Sequence, residues 1–589
     1  MSSDMSTQPR TSGVLAPIFS LPGTRDLGAF GAPVVKFFDF LRDAEQTYFQ
    51  TLPISPIDAN ASPYAGRSAF AGETLYLDLE EFRREGLLDD SDLDVAFRLP
   101  ERPQPGDSSD PQRDPRSERI DYAQARSRRT PLHFKAFERY QSKRGGETYR
   151  AAEDVFRAQN ADWIDDYALF QVAAETFGSH DWRLWPVEIR RREPNALREF
   201  ARRNRDALDR VVFLQLAFDL QWREIRRQAA DRGLKIFGDL PIYVGRFSAD
   251  AWAQPELFMI DRDGNMLVEA GAPADDFNPD GQPWNSPTYR WSRHKATGYE
   301  WWKRRVAKTL ERFDLARLDH FIGFYNYYGF PRSDSPDWPE ERAAAFKAAR
   351  PGDSFEPEWT PGPGRDFFDA LFAEFDQARF VAEDLGVMNR GVRELRDHYA
   401  LYGMLVAQFA LGAFKRNPDA DLFANWKPNY VAYTGTHDAQ PIIGWLDDLA
   451  QRRSSRRLFR ALERLLATTY ARAEDSPATT FAVSRREAFF NRVKARLPIR
   501  RKLGVDPNAA PASPRVLSLH APILRAVANS PCQIAIFPLQ DVLGLGDDSR
   551  VNFPGVATGN WTWRVAPRAL TPDVAAFLRE ITRDARRQR

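Results

Sequence analysis

This chain of 589 residues and 67.4 kDa carries 83 Lys and Arg against 82 Asp and Glu, a net charge of +1. No basic excess is available to neutralise nucleic-acid phosphates or to hold the chain on an anionic membrane surface, so neither partner is expected. Hydrophobic residues at 43% and charged residues at 28% describe an ordinary globular protein, and a single cysteine, Cys532, excludes an intramolecular disulfide and a cysteine-built zinc site.

Residues 1–12 are polar, lack the apolar stretch of a signal peptide, and read as a disordered tail. No window reaches the run of about 18 apolar residues that a spanning helix needs, and the expected location is the cytoplasm. Residues 13–589 read as one catalytic unit. Eight short runs within it, apolar and β-branched with polar or Gly/Pro ends, have the signature of buried parallel strands. They are Val14–Ile18, Thr47–Pro53, Lys235–Val244, Asp314–His320, Arg379–Glu383, Leu405–Leu411, Tyr430–Thr436 and Gln533–Pro538. Amphipathic stretches separate most of them, among them Ala32–Ala44, Tyr299–Arg312, Asp366–Phe375 and Val392–Tyr402. Eight strands alternating with helices predict an α/β protein, a (β/α)8 or TIM barrel.

The spacing is uneven. About 180 residues separate the second and third runs, far beyond an ordinary strand–helix loop. Helical patterns at Tyr122–Gly145, Tyr149–Gln159 and Ala196–Arg232 place a mainly helical subdomain there, about 80–232, with Trp163, Trp182, Trp185 and Trp222 available for packing. Leu99–Arg119, dense in Pro, Asp, Ser and Arg, reads as a surface loop within it. A Pro-rich loop insertion is expected at about 333–365, and an Arg-rich helical insertion at about 447–514. Aromatics reach 13%, including 15 Trp, which serves large cores and sugar stacking alike.

No GxxxxGK[ST] phosphate cradle, HExxH zinc motif or GxSxG elbow is present, and the seven His do not cluster at ligand spacing. What stands out is a set of carboxylates at the C-terminal ends of the runs. Asp239 follows Lys235-Ile-Phe-Gly, Asp319 follows Ala316-Arg317-Leu318, Glu383 follows Phe380-Val-Ala, and Asp438 follows Tyr433-Thr-Gly-Thr-His437. In a barrel that rim is where active sites form. One such acid commonly caps the next helix or binds loop amides instead; four on one rim are harder to account for that way. Arg317 and Asp319 are two apart, so on a strand their side chains face the same side. The guanidinium would favour the Asp319 carboxylate and depress its pKa, as a nucleophile requires, although a purely structural ion pair is the alternative. Glu383 after an apolar run would have a raised pKa suited to a general acid. Such a pair describes glycoside chemistry, with the two carboxyl groups about 5–5.5 Å apart in retaining enzymes.

These residues carry a resemblance. The chain resembles, over about 13–565, the 4-α-glucanotransferases of the amylomaltase (disproportionating enzyme) family, glycoside hydrolase family 77. The matching segments are Ser62-Pro-Tyr64 through Ser68-Ala-Phe-Ala-Gly72, Phe237-Gly-Asp-Leu-Pro-Ile-Tyr243, Arg317-Leu-Asp-His-Phe321, Val381-Ala-Glu-Asp-Leu-Gly386, Thr434-Gly-Thr-His-Asp438, Gln540-Asp-Val-Leu-Gly-Leu-Gly546 and Gly559-Asn-Trp-Thr-Trp563. The resemblance implies transfer of α-1,4-glucan segments between maltooligosaccharides by a retaining double displacement, with no cofactor and no metal. It implies Asp319 as nucleophile, Glu383 as acid/base, and Asp438 as the third carboxylate, which holds sugar hydroxyls and helps distort the donor ring. Asp239, Arg317 and His437 match positions around the donor sugar, Tyr64 and Trp284 match aromatic substrate contacts, and Asn552 lies in a matching segment near the donor site.

Departures fall on the acceptor side. A usual Pro-Pro-Asp-Tyr-Phe loop reads Pro273-Ala-Asp-Asp276-Phe277, a usual Trp-Gly-Asn-Pro reads Trp284-Asn285-Ser286-Pro287, and Ala439 stands where Asn usually follows His-Asp. Loss of a stacking ring, worth about 1–3 kcal/mol of apolar burial, would weaken acceptor capture. A maltooligosaccharide hydrolase and a non-catalytic glycan-binding protein on the same barrel therefore stand as alternatives.

Overall fold

The computed structural model describes residues 9–23, 26–98, 116–274, 281–332, 338–349, 358–386, 389–413, 426–451, 521–556 and 558–587. Eight parallel strands form its centre: β1 (Thr11–Leu15), β2 (Tyr48–Gln50), β3 (Lys235–Leu240), β4 (Leu315–Leu318), β5 (Phe380–Ala382), β6 (Gly403–Val406), β7 (Tyr430–Tyr433) and β8 (Ile534–Pro538). Their spatial order is β5-β4-β3-β2-β1-β8-β7-β6, which is sequence order carried around a ring. The ring closes where Val381 of β5 bridges Tyr402, just before β6, and the Ala382 N–H donates to the Tyr402 carbonyl at 2.7 Å. This is a TIM barrel.

All eight runs read from the sequence overlap a strand: six contain theirs, while β1 begins three residues before its run and β6 two residues before. Apolar runs overrun their strands because the rim turns that follow are buried too: Ile242, Tyr243 and Val244 lie beyond β3 at 2–7% exposure. One run changes character. Leu405–Leu411 was expected as strand, yet after Val406 the chain turns into a helix, Ala407–Ala413. Ala-Gln-Phe-Ala-Leu is a good helix former, and the Gln408 amide is held there by the Gln440 carbonyl at 2.6 Å. Thr11 and Ser12, expected in the polar tail, begin β1 and pair with β8; residues 1–8 lie outside the described residues.

Helices cover the outside of the ring. In α1 (Ala32–Asp43) Val34, Phe37, Phe38 and Leu41 recur at helical spacing and are fully buried against the barrel. Between β2 and β3 the helices are chiefly α2 (Tyr122–Gln141), α3 (Glu147–Gln159), α4 (Ile164–Phe177) and α5 (Arg205–Asp231). The last of these leads directly into β3. Its Phe218 and Trp222 rings lie 5.3 and 5.4 Å from Phe30, and the Trp222 indole donates to the Arg312 carbonyl, so the added helices share the barrel's hydrophobic cluster.

Two rim loops, after β3 and after β4, build a four-stranded antiparallel sheet that the sequence pattern did not announce: 282–287, 268–272, 326–331 and 360–361. The stretch read as a Pro-rich loop at 333–365 also holds the helix Trp338–Ala348. Ser117–Arg119, read as loop, pairs antiparallel with Trp563–Val565 and ties the region after β2 to the C-terminal segment. The helix Ile442–Gln451 begins the Arg-rich segment; from 452 to 520 that segment lies outside the described residues, as do most of Leu99–Arg119 and the segment 275–280 with Asp276.

Gly238 of β3 lets the barrel wall close on α6 (Glu300–Arg312): a Cβ there would stand 2.2 Å from the Phe313 ring. Gly238→Ala is therefore expected to destabilise the fold by about 1–3 kcal/mol through overpacking, read as a lower urea midpoint.

Candidate active site

The site grows from the strand register. Asp239 of β3 and Arg317 of β4 are directly opposed across a parallel pair, so both side chains leave the same face of the sheet. Arg317 Nη1 donates to Asp239 Oδ2 at 2.6 Å, and Arg317 Nη2 meets Asp319 Oδ1 at 2.8 Å. One guanidinium thus holds two carboxylates from neighbouring strands. It is 6% exposed and Asp239 1%, whereas Asp319, just past the strand end, is 21% exposed. Burial opposes the charge on Arg317, yet the carboxylates of Asp239 and Asp319 raise its pKa well above the ordinary value. Burial pushes the Asp239 carboxyl up, against the pull of Arg317. Asp239 Oδ1 is buried with no hydrogen-bond partner among the described residues, an acceptor left open.

Glu383 follows β5, which pairs with β4. Its Oε2 accepts the His320 N–H at 2.9 Å and its Oε1 the Leu385 N–H at 3.1 Å. The residue after Asp319 therefore orients Glu383. Burial is the main cause of its raised pKa, pushed to about 8, with Arg317 opposing and Asp319 adding to the rise. At neutral pH the carboxyl is protonated. Asp319 is ion-paired to Arg317 through one oxygen, whereas the oxygens of Glu383 accept peptide N–H groups, so the two carboxyl groups lie in different environments.

The remaining predicted residues join this pair through contacts. Tyr64, from the loop after β2, donates its hydroxyl to Asp239 Oδ2 at 2.7 Å and stacks on His437, with centroids 5.1 Å apart and planes at 14°. His437 Nε2 lies 3.3 Å from Asp438 Oδ2, and Asn552 Nδ2 donates to Asp438 Oδ1 at 2.6 Å. Asp438 keeps a side chain 42% exposed. Trp284 meets the His320 ring edge-on at 4.8 Å. Burial pushes the His320 imidazole down to about 4, so that ring is neutral at pH 7. Asp239, Arg317, Asp319, Glu383, Tyr64, His437, Asp438, Asn552 and Trp284 are all brought to one cleft.

Three participants were not singled out from the sequence. Trp561 lies 5.7 Å from Tyr64 and 6.1 Å from His437, and the quoted segment Gly559–Trp563 was its one signal. Arg550 donates to the backbone carbonyls of Asp438 and Asn552 at 2.8 Å each, fixing one loop against the other. Asp541, in the short helix Leu539–Leu543 after β8, is 1% exposed; its Oδ2 accepts the Thr434 hydroxyl at 2.5 Å and its Oδ1 the Ile442 N–H at 2.7 Å. It therefore grips both ends of the loop that presents His437 and Asp438. No group of metal-ligating side chains occurs among the described residues.

Comparison with known proteins gives the relatives of the chain. A family model described as 4-alpha-glucanotransferase matches residues 16–571. A 4-alpha-glucanotransferase of Synechocystis sp. is 34% identical over 577 residues, 97% of this chain and 97% of that protein. One of Thermus thermophilus is 32% identical over 573 residues, 97% and 98% of the two chains. Among solved structures, an amylomaltase from Streptococcus agalactiae in complex with acarbose superposes with a TM-score of 0.77 at 29% identity, covering 98% of this chain and all of that one.

Asp541→Ala leaves the Thr434 hydroxyl and the Ile442 N–H unpaired in a buried place and is expected to cost about 2–3 kcal/mol of stability and at least about tenfold in turnover. Asp541→Asn, which keeps one acceptor and gains a donor, should retain most of both. Thermal unfolding and turnover on maltotriose check the pair.

Proposed function

We propose how this chain, which belongs to the 4-alpha-glucanotransferase family, moves a glucan segment with its three clustered carboxylates. The enzyme transfers α-1,4-glucan segments; neither a dedicated hydrolase nor a non-catalytic binding protein draws support from its relatives. The observation that carries the assignment of roles is Arg317 binding Asp319 through Oδ1. Oδ2 is left as the attacking atom, beside an ion pair that occupies the other oxygen.

In the first half-reaction Asp319 Oδ2 attacks the anomeric carbon of the donor while Glu383 gives its proton to the glycosidic oxygen. The bond from the anomeric carbon to that oxygen breaks, the fragment that carries the original reducing end departs with a free 4-hydroxyl, and the glycosyl segment remains as an ester on Asp319. In the second half, Glu383, now a carboxylate, takes the proton from the 4-hydroxyl of an acceptor sugar, whose oxygen attacks the same carbon and frees Asp319. Asp438, held by Asn552 and beside His437, accepts donor-ring hydroxyls. Asp239, with one acceptor unused, and the stacked Tyr64 line the same ring. Trp284, beyond His320, gives the incoming acceptor a face to lie on.

Transfer outcompetes hydrolysis when a sugar rather than water occupies that face. Asn285, Ser286 and Ala439 stand at the acceptor side, and Ser286 is 4% exposed and turned inward, its hydroxyl 3.4 Å from the Trp284 carbonyl. The substrate class that fits is maltooligosaccharides or longer α-1,4-glucans. A single, buried cysteine supports action in the cytoplasm, where thiols stay reduced.

Incubation with maltotriose is expected to give glucose and a ladder of longer oligomers; Asp319→Asn should abolish both, by at least about four orders of magnitude. Glucose and maltose without a ladder would count against transfer. Because Glu383 must carry a proton to cleave the donor, and burial holds its pKa near 8, kcat/KM should be level below that value and fall as pH rises through it. Activity unchanged to pH 10 would contradict the acid assignment.

A further inference from the structure

Trp284 does not sit on a regular strand. In the antiparallel pair of 282–287 with 268–272, Glu269 is opposed to Pro287 and Gly271 to Pro283, so one residue of one strand, Ala270, faces three of the other. Trp284, Asn285 and Ser286 are the bulge. A bulge beside a cleft re-aims a side chain, and here it turns the indole onto His320, the residue after Asp319. It also forces Asn285 to φ +54°, the left-handed region that a side chain other than glycine's occupies at a cost.

Two charged groups meet that one residue, and a third holds one of them. Glu269 Oε1 accepts the Asn285 N–H at 2.7 Å, and its other oxygen is ion-paired with Arg332. Arg246 Nη1, from the loop after β3, donates to Asn285 Oδ1 at 3.3 Å. Glu269 has a side chain only 5% exposed, in a sheet that supplies no catalytic group. A buried carboxylate is expensive unless it is bonded, and this one spends an oxygen on the backbone next to Trp284.

Resting on the acceptor role read for Trp284 above, we propose that Glu269, with Asn285 and Arg246, is a positioning clamp that sets the angle of the Trp284 platform and thereby the share of glucosyl intermediate taken by sugar rather than water. Glu269 touches no substrate. It acts through the peptide that follows Trp284, so its loss loosens the acceptor face while the donor side, built on Asp239, Arg317 and Asp438, keeps its contacts.

The test uses the purified full-length enzyme with maltotriose as donor and labelled glucose as acceptor, counting transfer by label incorporated and hydrolysis by net new reducing ends. Glu269→Ala is expected to raise the KM for glucose about tenfold and the hydrolysis-to-transfer ratio by a similar factor, while kcat at saturating glucose falls less than about threefold. Glu269→Gln, which retains an acceptor for the Asn285 N–H, should restore the glucose KM to within about threefold of the parent. Should Glu269→Ala not fold, Arg246→Ala reads the same split at about threefold. Equal loss of kcat and of transfer in Glu269→Ala, with the ratio unmoved, or no rescue by Gln, overturns the clamp. Trp284→Ala separates the two readings: if it raises the glucose KM and Glu269→Ala does not, the clamp alone is wrong; if it leaves the glucose KM unchanged, the acceptor platform is wrong and the clamp falls with it.

Discussion

A buried guanidinium between two carboxylates is the contact from which the rest of this site is built. Arg317 reaches Asp239 and Asp319 only because β3 and β4 are parallel and in the register that opposes Asp239 to Arg317. A slip of one residue would turn Arg317 out to the helices, where no interior carboxylate could meet it. Taking this cation out of water is costly, and two anions at 2.6 and 2.8 Å are what make it tolerable. The same pairing keeps one oxygen of Asp319 occupied and the other open. Asp239 then hands the contact on through Tyr64, which stacks on His437 beside Asp438, so one interaction links groups from the ends of β2, β3, β4 and β7.

Precision at the rim comes from charged side chains spent on backbone. Asp541 holds the two ends of the β7 loop. Asp384, next to Glu383, accepts the Met404 N–H at 2.7 Å and is ion-paired with Arg396, so the turn after β5 is fixed to the start of β6. Arg305 of α6 donates to the carbonyls of Pro241 and Ile242 at 2.6 and 3.0 Å, shaping the turn after Asp239. None of these groups meets the sugar in the proposed mechanism. Each satisfies buried polar atoms that a rim loop would otherwise leave exposed or unpaired, and the cost of that arrangement is repaid as fixed geometry for neighbours that do.

The carboxyl pair illustrates how position alone divides labour. Glu383 and Asp319 are the same chemistry, each the first residue past one of two adjacent strands. One has a cation on it and stands partly in the cleft; the other has burial as its dominant influence and only peptide N–H groups on its oxygens. In the proposed mechanism burial on one side and one arginine on the other separate them into acid and nucleophile.

The barrel was legible because its strands are buried on both faces and so read as apolar runs, with acids at or near the C-terminal ends of four strands. The same rule blurred the boundaries: Leu405–Leu411 stays apolar while the backbone passes from strand to helix, and Ile242–Val244 stay apolar beyond β3. The helix Trp338–Ala348 and the four-stranded rim sheet were illegible, since their short, polar-rich segments acquire partners only from loops far apart in sequence. The amino-acid order by itself determined the alternation of strands and helices, the acids that follow four of the runs and the Arg317–Asp319 spacing, all of which are local in origin; Tyr64, Trp284, His437 and Asn552 were expected from the family resemblance instead. The tertiary structure alone decided which oxygen of Asp319 is engaged, that the N–H of His320 orients Glu383, that Trp561 and Arg550 belong to the site, and that Glu269 reaches the bulge beneath Trp284. Those contacts join segments up to several hundred residues apart, and no spacing rule records a distance across a closed barrel.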